Sequence, residues 1–135
     1  MLQDKAMTIQ IWDELVPGKR SQAAVIHPDA EPRTIRGVIH ERIRQEVETY
    51  NRSLPETFQG LVQPEESEQI LNGFRMKVRR PLDSEAQYRQ ACSSFEKNGF
   101  LILVDDEQIT DLDAPVPLRE DTRVQFVKLV PLIGG

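Results

Sequence analysis

The sequence predicts an α+β domain in which a mixed β-sheet packs against a long helix. Residues 7–12 (MTIQIW) alternate apolar and polar side chains, as a strand with one buried face does. Residues 34–50 carry apolar side chains at helical spacing, and Phe100–Val104 (FLILV) is a continuous apolar run of strand length. A helix and a sheet with apolar faces bury those faces against each other, which gives this fold class.

An opening hairpin and the main helix are predicted within residues 7–50. The segment 16–19 (VPGK) is a strong turn signal because proline presets φ and glycine accepts the left-handed conformation, and residues 21–27 form the return strand. Thr34 is the expected N-cap of the helix. The apolar positions of this helix fall on a single stripe, Ile35, Val38, Ile39, Ile43, Val47 and Tyr50.

Residues 51–98 are interpreted as an ordered insertion that contains a second helix. Proline and glycine interrupt the first part of it, where we expect a short helix over 64–71 and a short strand over 74–78. The second helix opens at Asp83-Ser84, with Gln87 completing a capping box, and ends at Asn98-Gly99, where glycine is the expected left-handed cap. Its apolar stripe is Tyr88, Ala91, Cys92 and Phe95.

The later strands are predicted within residues 99–130. Phe100–Val104 is expected to be a central strand, followed by a turn at Asp105-Asp106 and a short return strand over 107–109. An extended loop then leads to the last strand, 123–130. Residues 131–135 form a tail, so that 1–135 make up a single domain of ordinary size.

Composition argues against several classes of partner. The formal charge of −5 is spread along the chain, which disfavours a nucleic-acid or anionic-membrane surface. No apolar run approaches the roughly 20 residues that cross a bilayer, and residues 1–6 lack the apolar segment of a secretory signal. A single cysteine, Cys92, forms no internal disulfide. We therefore expect a cytoplasmic protein.

Candidate catalytic and metal-binding residues are weak. Cys92 falls on the apolar stripe of the second helix, which favours a buried structural thiol over a nucleophile. His27 and His40 lack neighbours at the spacing of a zinc site. The acidic stretch 105–113 lacks the glycine and the terminal glutamate of an EF-hand loop. We expect no metal, no cofactor and no enzymatic activity in this chain.

The last five residues carry the strongest functional signal. Pro131 restricts the preceding residue to extended geometry, Leu132 and Ile133 offer apolar anchoring, and Gly134 and Gly135 have no side chains. A narrow active site would admit such a segment, because side chains at the last two positions would obstruct it. We predict that Gly135 supplies a carboxylate for covalent attachment, and that Pro131–Gly134 are recognised by an activating enzyme.

The order of hairpin, helix, strand, turn and strand before Gly-Gly resembles the β-grasp fold. The stretch 118–126 (LREDTRVQF) followed by 130–135 (VPLIGG) is similar to the sulfur carriers of molybdopterin and thiamine synthesis, and the ending is also similar to ubiquitin-like modifiers. Simple sulfur carriers lack the insertion after the first helix. The longer chain looks more like bacterial ubiquitin-like proteins associated with activating and conjugating enzymes and a JAB-type metalloprotease.

This resemblance implies a protein modifier whose terminal glycine is adenylated with ATP by the activating enzyme, held as a thioester and transferred to an amine. Two alternatives remain open from the sequence. The chain is a sulfur carrier that ends in a thiocarboxylate, or it is a self-assembling interaction protein that forms homo-oligomers. In the second case the insertion drives self-association, and two exposed strand edges would support it. The target protein is not indicated by the sequence.

Overall fold

A computed structural model describes residues 9–16, 19–26, 34–70, 73–117, 119 and 121–128. These residues form two helices, α1 (Ile35–Ser53) and α2 (Ser84–Glu96). They also form eight strands: β1 (Ile9–Val16), β2 (Lys19–Ile26), β3 (Thr57–Phe58), β4 (Ser67–Ile70), β5 (Gly73–Met76), β6 (Phe100–Val104), β7 (Glu107–Ile109) and β8 (Val124–Lys128). The α+β class predicted from the sequence is confirmed.

Five of the strands form a mixed sheet in the order β2-β1-β8-β6-β7. β8 runs parallel to β1 and antiparallel to β6, whereas β1–β2 and β6–β7 are antiparallel pairs. The last strand in sequence therefore lies at the centre of the sheet. A second, smaller sheet has the order β3-β5-β4 and belongs to the predicted insertion.

Helix α1 supplies much of the main hydrophobic core. The Thr34 hydroxyl accepts a hydrogen bond from the Gly37 amide at 3.2 Å, which confirms the predicted N-cap. The predicted apolar stripe is buried along its whole length: Ile35, Val38, Ile39, Ile43, Val47 and Tyr50. The inward-facing residues of the sheet that share this core include Ile11, Phe100, Ile102, Val124 and Phe126.

The segment between the helices contributes to two apolar clusters. Leu61 and Val62 are buried in the main core, while Phe58 and Met76 pack with Tyr50 in a smaller cluster. The rings of Tyr50 and Phe58 meet edge to face with centroids 5.5 Å apart. The small sheet is thus tied to the far end of α1 by aromatic packing.

The short helix predicted over 64–71 is wrong. Ser67–Ile70 is strand β4, paired with β5 in the register Ser67↔Met76 to Ile70↔Gly73. The residues that looked like a helix start form a turn instead, with Glu66 at a φ of 54°. Long-range pairing with β5 decides the conformation here, since strand preference depends strongly on neighbouring strands.

Both predicted caps of the second helix need correction. The N-cap is Asp83, whose carboxylate accepts a hydrogen bond from the Glu85 amide at 3.1 Å, and the Gln87 amide group instead donates to the Val62 carbonyl. At the other end Asn98, not Gly99, has the left-handed conformation, with a φ of 61°. A Cβ at Gly99 would lie 2.2 Å from the Ser94 hydroxyl oxygen and 3.2 Å from the Ser94 carbonyl oxygen, so a side chain here would require Ser94 to shift.

The remaining strand predictions hold within the described residues. β1 continues to Val16, beyond the predicted end at residue 12, while β6 is an interior strand and Asp105 and Asp106 form the predicted turn with positive φ. The turn residues Pro17 and Gly18 and the return-strand residue His27 lie outside the described residues. In the described part of the chain, neither helix is long and apolar enough to cross a membrane.

Candidate functional site at the end of the last strand

The predicted site residues Pro131, Leu132, Ile133, Gly134 and Gly135 lie outside the described residues. The structure does describe the strand that leads to them, β8, as far as Lys128. The described residues nearest to this site in sequence are those of β8, which ends at Lys128, just before residues 129–135.

β8 is the central strand of the five-stranded sheet, between β1 and β6. Val124 and Phe126 on β8 are fully buried and face α1. Asp13 of β1 is the parallel partner of Phe126, and Ile102 of β6 is its antiparallel partner. Val124 to Val127 are paired on both sides, and Lys128 is paired with Phe100 of β6, so neighbouring strands fix the position of β8 up to its last residue.

A buried arginine lies directly beneath β8. Arg42 of α1 is 1% exposed, and its guanidinium donates two hydrogen bonds to the Asp13 carboxylate, at 2.5 and 2.9 Å. It also donates to the Glu46 carboxylate at 2.8 Å and lies 4.6 Å from the centroid of the Phe126 ring. A planar guanidinium with several donors suits this arrangement better than a lysine would.

The contacts of Arg42 continue into a closed ring. The second oxygen of Glu46 accepts a hydrogen bond from the Leu61 amide at 3.1 Å. The Gly60 carbonyl, which belongs to the same peptide group, accepts a hydrogen bond from the Lys128 ammonium at 3.1 Å. Lys128 also lies 4.0 Å from the Asp13 carboxylate, which closes the ring. We call Asp13, Arg42, Glu46, the Gly60–Leu61 peptide and Lys128 the charge ring.

Burial sets the electrostatics of the charge ring. Burial lowers the pKa of Arg42, but the carboxylates of Glu46 and Asp13 outweigh it and leave that pKa above its ordinary value. Burial raises the pKa of Glu46 despite the opposing Arg42 charge. Burial, together with repulsion from Arg42, lowers the pKa of Lys128. The guanidinium is the fixed cation around which the other charges are arranged.

Partly exposed apolar side chains lie on the other face of the sheet. Trp12, Gln125 and Leu103 are aligned across β1, β8 and β6. Val127 and Leu101 are partners in a neighbouring row. Each of the four apolar residues is neither buried nor fully exposed. This surface borders the strand that leads to the predicted tail and offers apolar area for a partner protein.

The other candidate residues have structural partners. Cys92 is 8% exposed, and burial raises the pKa of its thiol, in line with a structural cysteine. His40 lies 3.3 Å from the Glu85 carboxylate and edge-on to the Tyr88 ring, so it links α1 to α2. Among the described residues, no three His, Cys, Asp or Glu side chains are grouped as metal ligands would be.

The sequence analysis missed the charge ring, although its signals were present. Asp13 lies two residues after the buried Ile11 and so falls on the same face of β1, and Arg42 lies on the helical stripe between Ile39 and Ile43. A charged residue on each of two inward faces, with opposite signs, indicates a buried ion pair. No comparable signal identified the Gly60–Leu61 peptide, because its place depends on how the insertion folds.

Comparisons with models of protein families, with curated proteins and with solved structures gave no significant match.

Proposed function

We propose that this chain is a β-grasp, ubiquitin-like protein modifier of bacterial type, activated at the carboxylate of Gly135. One observation carries the proposal: β8 lies at the centre of the sheet, parallel to β1, with antiparallel hairpins β1–β2 and β6–β7 completing the sheet on either side. This order is the one expected for the β-grasp plan. It supports the sequence pattern, because the strand that precedes the Gly-Gly segment in sequence is an interior strand of the sheet.

The proposed chemistry belongs to partner enzymes that act on the tail. A carboxylate is a poor electrophile, so a Gly135 oxygen first attacks the α-phosphate of ATP and pyrophosphate leaves. A cysteine thiolate of the activating enzyme then attacks the acyl carbon, AMP leaves, and a thioester forms. Transfer to a target amine breaks the thioester, forms an amide and returns the thiol after loss of a proton. This chain supplies the acyl group and requires no cofactor of its own.

The described residues give the tail a suitable platform. The tail recognition residues Pro131, Leu132, Ile133 and Gly134 follow β8 in sequence, and β8 with its neighbours β1 and β6 carries the apolar surface formed by Trp12, Leu103 and Val127. An enzyme that receives a narrow segment can gain affinity from a neighbouring apolar surface. A conjugating enzyme and a JAB-type metalloprotease are the further partners that this function requires.

The test is ATP-dependent activation of the intact chain by activating enzymes of this class. The full chain is expected to give pyrophosphate exchange and a thioester sensitive to reducing agent, whereas deletion of Gly134-Gly135 abolishes both. Substitution of the exposed Arg52 by alanine serves as the control and leaves activation unchanged. Absence of both adenylate and thioester with the intact, folded chain would contradict the proposal.

The sulfur carrier is the second candidate, favoured by the same sheet order and the same tail. Intact mass after activation separates the two functions. Exchange of an oxygen for sulfur at Gly135 indicates a thiocarboxylate carrier, and adducts on lysine side chains of other proteins indicate a modifier.

Self-assembly through the edge strands β2 and β7 is the third candidate. Light scattering on the tail-deleted form tests it, because a monomer at high concentration excludes assembly through these edges.

A further inference from the structure

A cleft with a volume of about 350 Å³ lies between α2 and the part of the insertion that precedes it. Its apolar lining includes Met76, Val78 and Leu82. Met76 is buried, whereas Val78 is 38% exposed, more than any other large apolar side chain in the described part of the chain. The cleft therefore offers apolar area that a ligand can cover.

A buried glutamine, Gln87, lines the same cleft from the first turns of α2. Gln87 is 5% exposed, and its side-chain nitrogen donates to the Val62 carbonyl at 3.4 Å, which is a long and weak hydrogen bond. Its side-chain oxygen accepts no hydrogen bond from the described residues and is not fully enclosed by them. Most buried side-chain acceptors have a partner, so this oxygen is suited to a donor that a ligand supplies.

The charged residues that line the cleft give it a negative balance. They are three carboxylates, Glu65, Glu66 and Asp83, and one guanidinium, Arg80. Arg80 donates to Glu66 at 2.5 Å, and the Asp83 carboxylate caps α2. The N-terminus of α2 adds a partial positive charge of roughly half a unit, which leaves the balance negative. The exposed Glu65 carboxylate forms no ion pair or hydrogen bond with the other described residues, so it is available to a cation.

We propose that this cleft binds an arginine side chain of a partner protein. The guanidinium donates to the Gln87 oxygen, the Glu65 carboxylate supplies the opposing charge, and the aliphatic stem covers the apolar lining. Arginine suits the cleft better than lysine, because its planar group donates in several directions and is more weakly hydrated than an ammonium. The site does not involve Gly135, so it adds to the proposed modifier a separate surface through which the insertion recognises a partner.

The test is a titration of the full chain, isotope-labelled for NMR, with a blocked peptide that carries one arginine between alanines. We expect shifts of the amide signals of Val78, Ala86 and Gln87, with a Kd on the order of 1 mM. The matched peptide with citrulline, the neutral analogue of arginine, should leave these signals in place, and the lysine peptide should bind more weakly. Equal binding of the citrulline or the lysine peptide overturns the proposal, as does binding of inorganic phosphate at the same residues.

Two variants locate the binding to the cleft. Glu65→Lys is expected to weaken binding of the arginine peptide about tenfold, since it replaces an attraction with a repulsion. Gln87→Leu should weaken it as well, because it removes the acceptor. Glu107→Lys makes the same charge change at an exposed position on β7, outside the cleft, and should leave the Kd unaltered.

An unaltered Kd in Glu65→Lys overturns the proposal, whatever the outcome with Gln87→Leu. This variant decides the matter even if Gln87→Leu does not fold, because Glu65 is exposed and its replacement breaks no contact with the described residues. The measurement uses no activating enzyme. A failure of adenylation therefore contradicts the proposed function alone, and a failure of peptide binding contradicts the arginine site alone.

Discussion

Replacing Arg42 with methionine is the most direct perturbation of the charge ring. Methionine keeps an unbranched apolar stem but removes the guanidinium donors to Asp13 and Glu46, whose side chains are only 11% and 6% exposed. Removing one partner of a buried ion pair costs about 3–5 kcal/mol, since the other partner remains buried and charged. A domain of this size has a total stability on the order of 10 kcal/mol, so this loss is a large share of it.

The assay is urea unfolding at neutral pH, followed by far-ultraviolet circular dichroism and by the fluorescence of Trp12, the single tryptophan. The midpoint temperature is expected to fall by roughly 10–20 °C in the corresponding thermal experiment. The matched control is Arg44→Met on the same helix, an arginine with 47% of its side chain exposed and paired to Glu41 and Glu48. We expect a loss below about 1 kcal/mol there.

Two further measurements identify the cause of the loss. Lowering the pH is expected to return part of the stability of Arg42→Met, because burial raises the pKa of Glu46 and this carboxylate, without Arg42, then accepts a proton. The triple variant Arg42→Met, Asp13→Asn and Glu46→Gln should be more stable than Arg42→Met alone, since it removes the two carboxylates that lose Arg42. A loss below about 1 kcal/mol in Arg42→Met would refute the reasoning, as it is the value for an exposed pair.

Further predictions concern single features of the fold, each measured by urea unfolding. Thr34→Ala removes the N-cap of α1 and should cost about 1 kcal/mol. Tyr50→Phe should cost nothing or stabilise slightly, because the buried Tyr50 hydroxyl has no hydrogen-bond partner among the described residues; a clear loss would reveal one. Gly73→Ala should cost more than about 1 kcal/mol, since Gly73 has a φ of 142° and a Cβ would lie 2.8 Å from the Phe58 carbonyl oxygen. Burial lowers the pKa of Lys128 from 10.5 in the folded protein. Between the lowered pKa and 10.5 the unfolded chain therefore binds a proton that the folded chain has released. The free energy of unfolding of the unaltered protein, relative to that of Lys128→Met, should rise as the pH approaches 10.5.

Local patterns predicted those elements whose residues act mainly within one segment. The spacing from Ile35 to Tyr50 places apolar residues on one side of a helix wherever the helix packs, and the run Phe100–Val104 is buried on both faces of its strand to differing degrees. The segment 64–71 failed because β5 supplies its conformation from outside. At the end of α2 the sequence offers two adjacent residues that tolerate the left-handed conformation, and Asn98 rather than Gly99 adopts it.

The candidate site was predictable only in part for a related reason. The tail is a contiguous motif and can be read directly from the residues, but the charge ring joins positions that are remote in sequence. Asp13 and Arg42 are separated by 29 residues, and Gly60 and Lys128 by 68. Such contacts depend on the sheet order and on the path of the insertion, neither of which hydropathy periodicity encodes.

The charge ring also bears on the register of the central strands. Side chains alternate between the two faces of a sheet, so a slip of β8 by one residue would turn Lys128 outward and bring Val127 to the inner face. Asp13 would then lose Lys128, the Gly60 carbonyl would lose its donor, and Phe126 would move away from the Arg42 guanidinium that lies 4.6 Å from its ring. The slip would also turn Val124 and Phe126 outward and bring Gln125 to the inner face, so apolar and charged contacts specify the same register. The charges therefore favour one pairing of β1 with β8, and with it one starting point for the segment that ends in Gly134-Gly135.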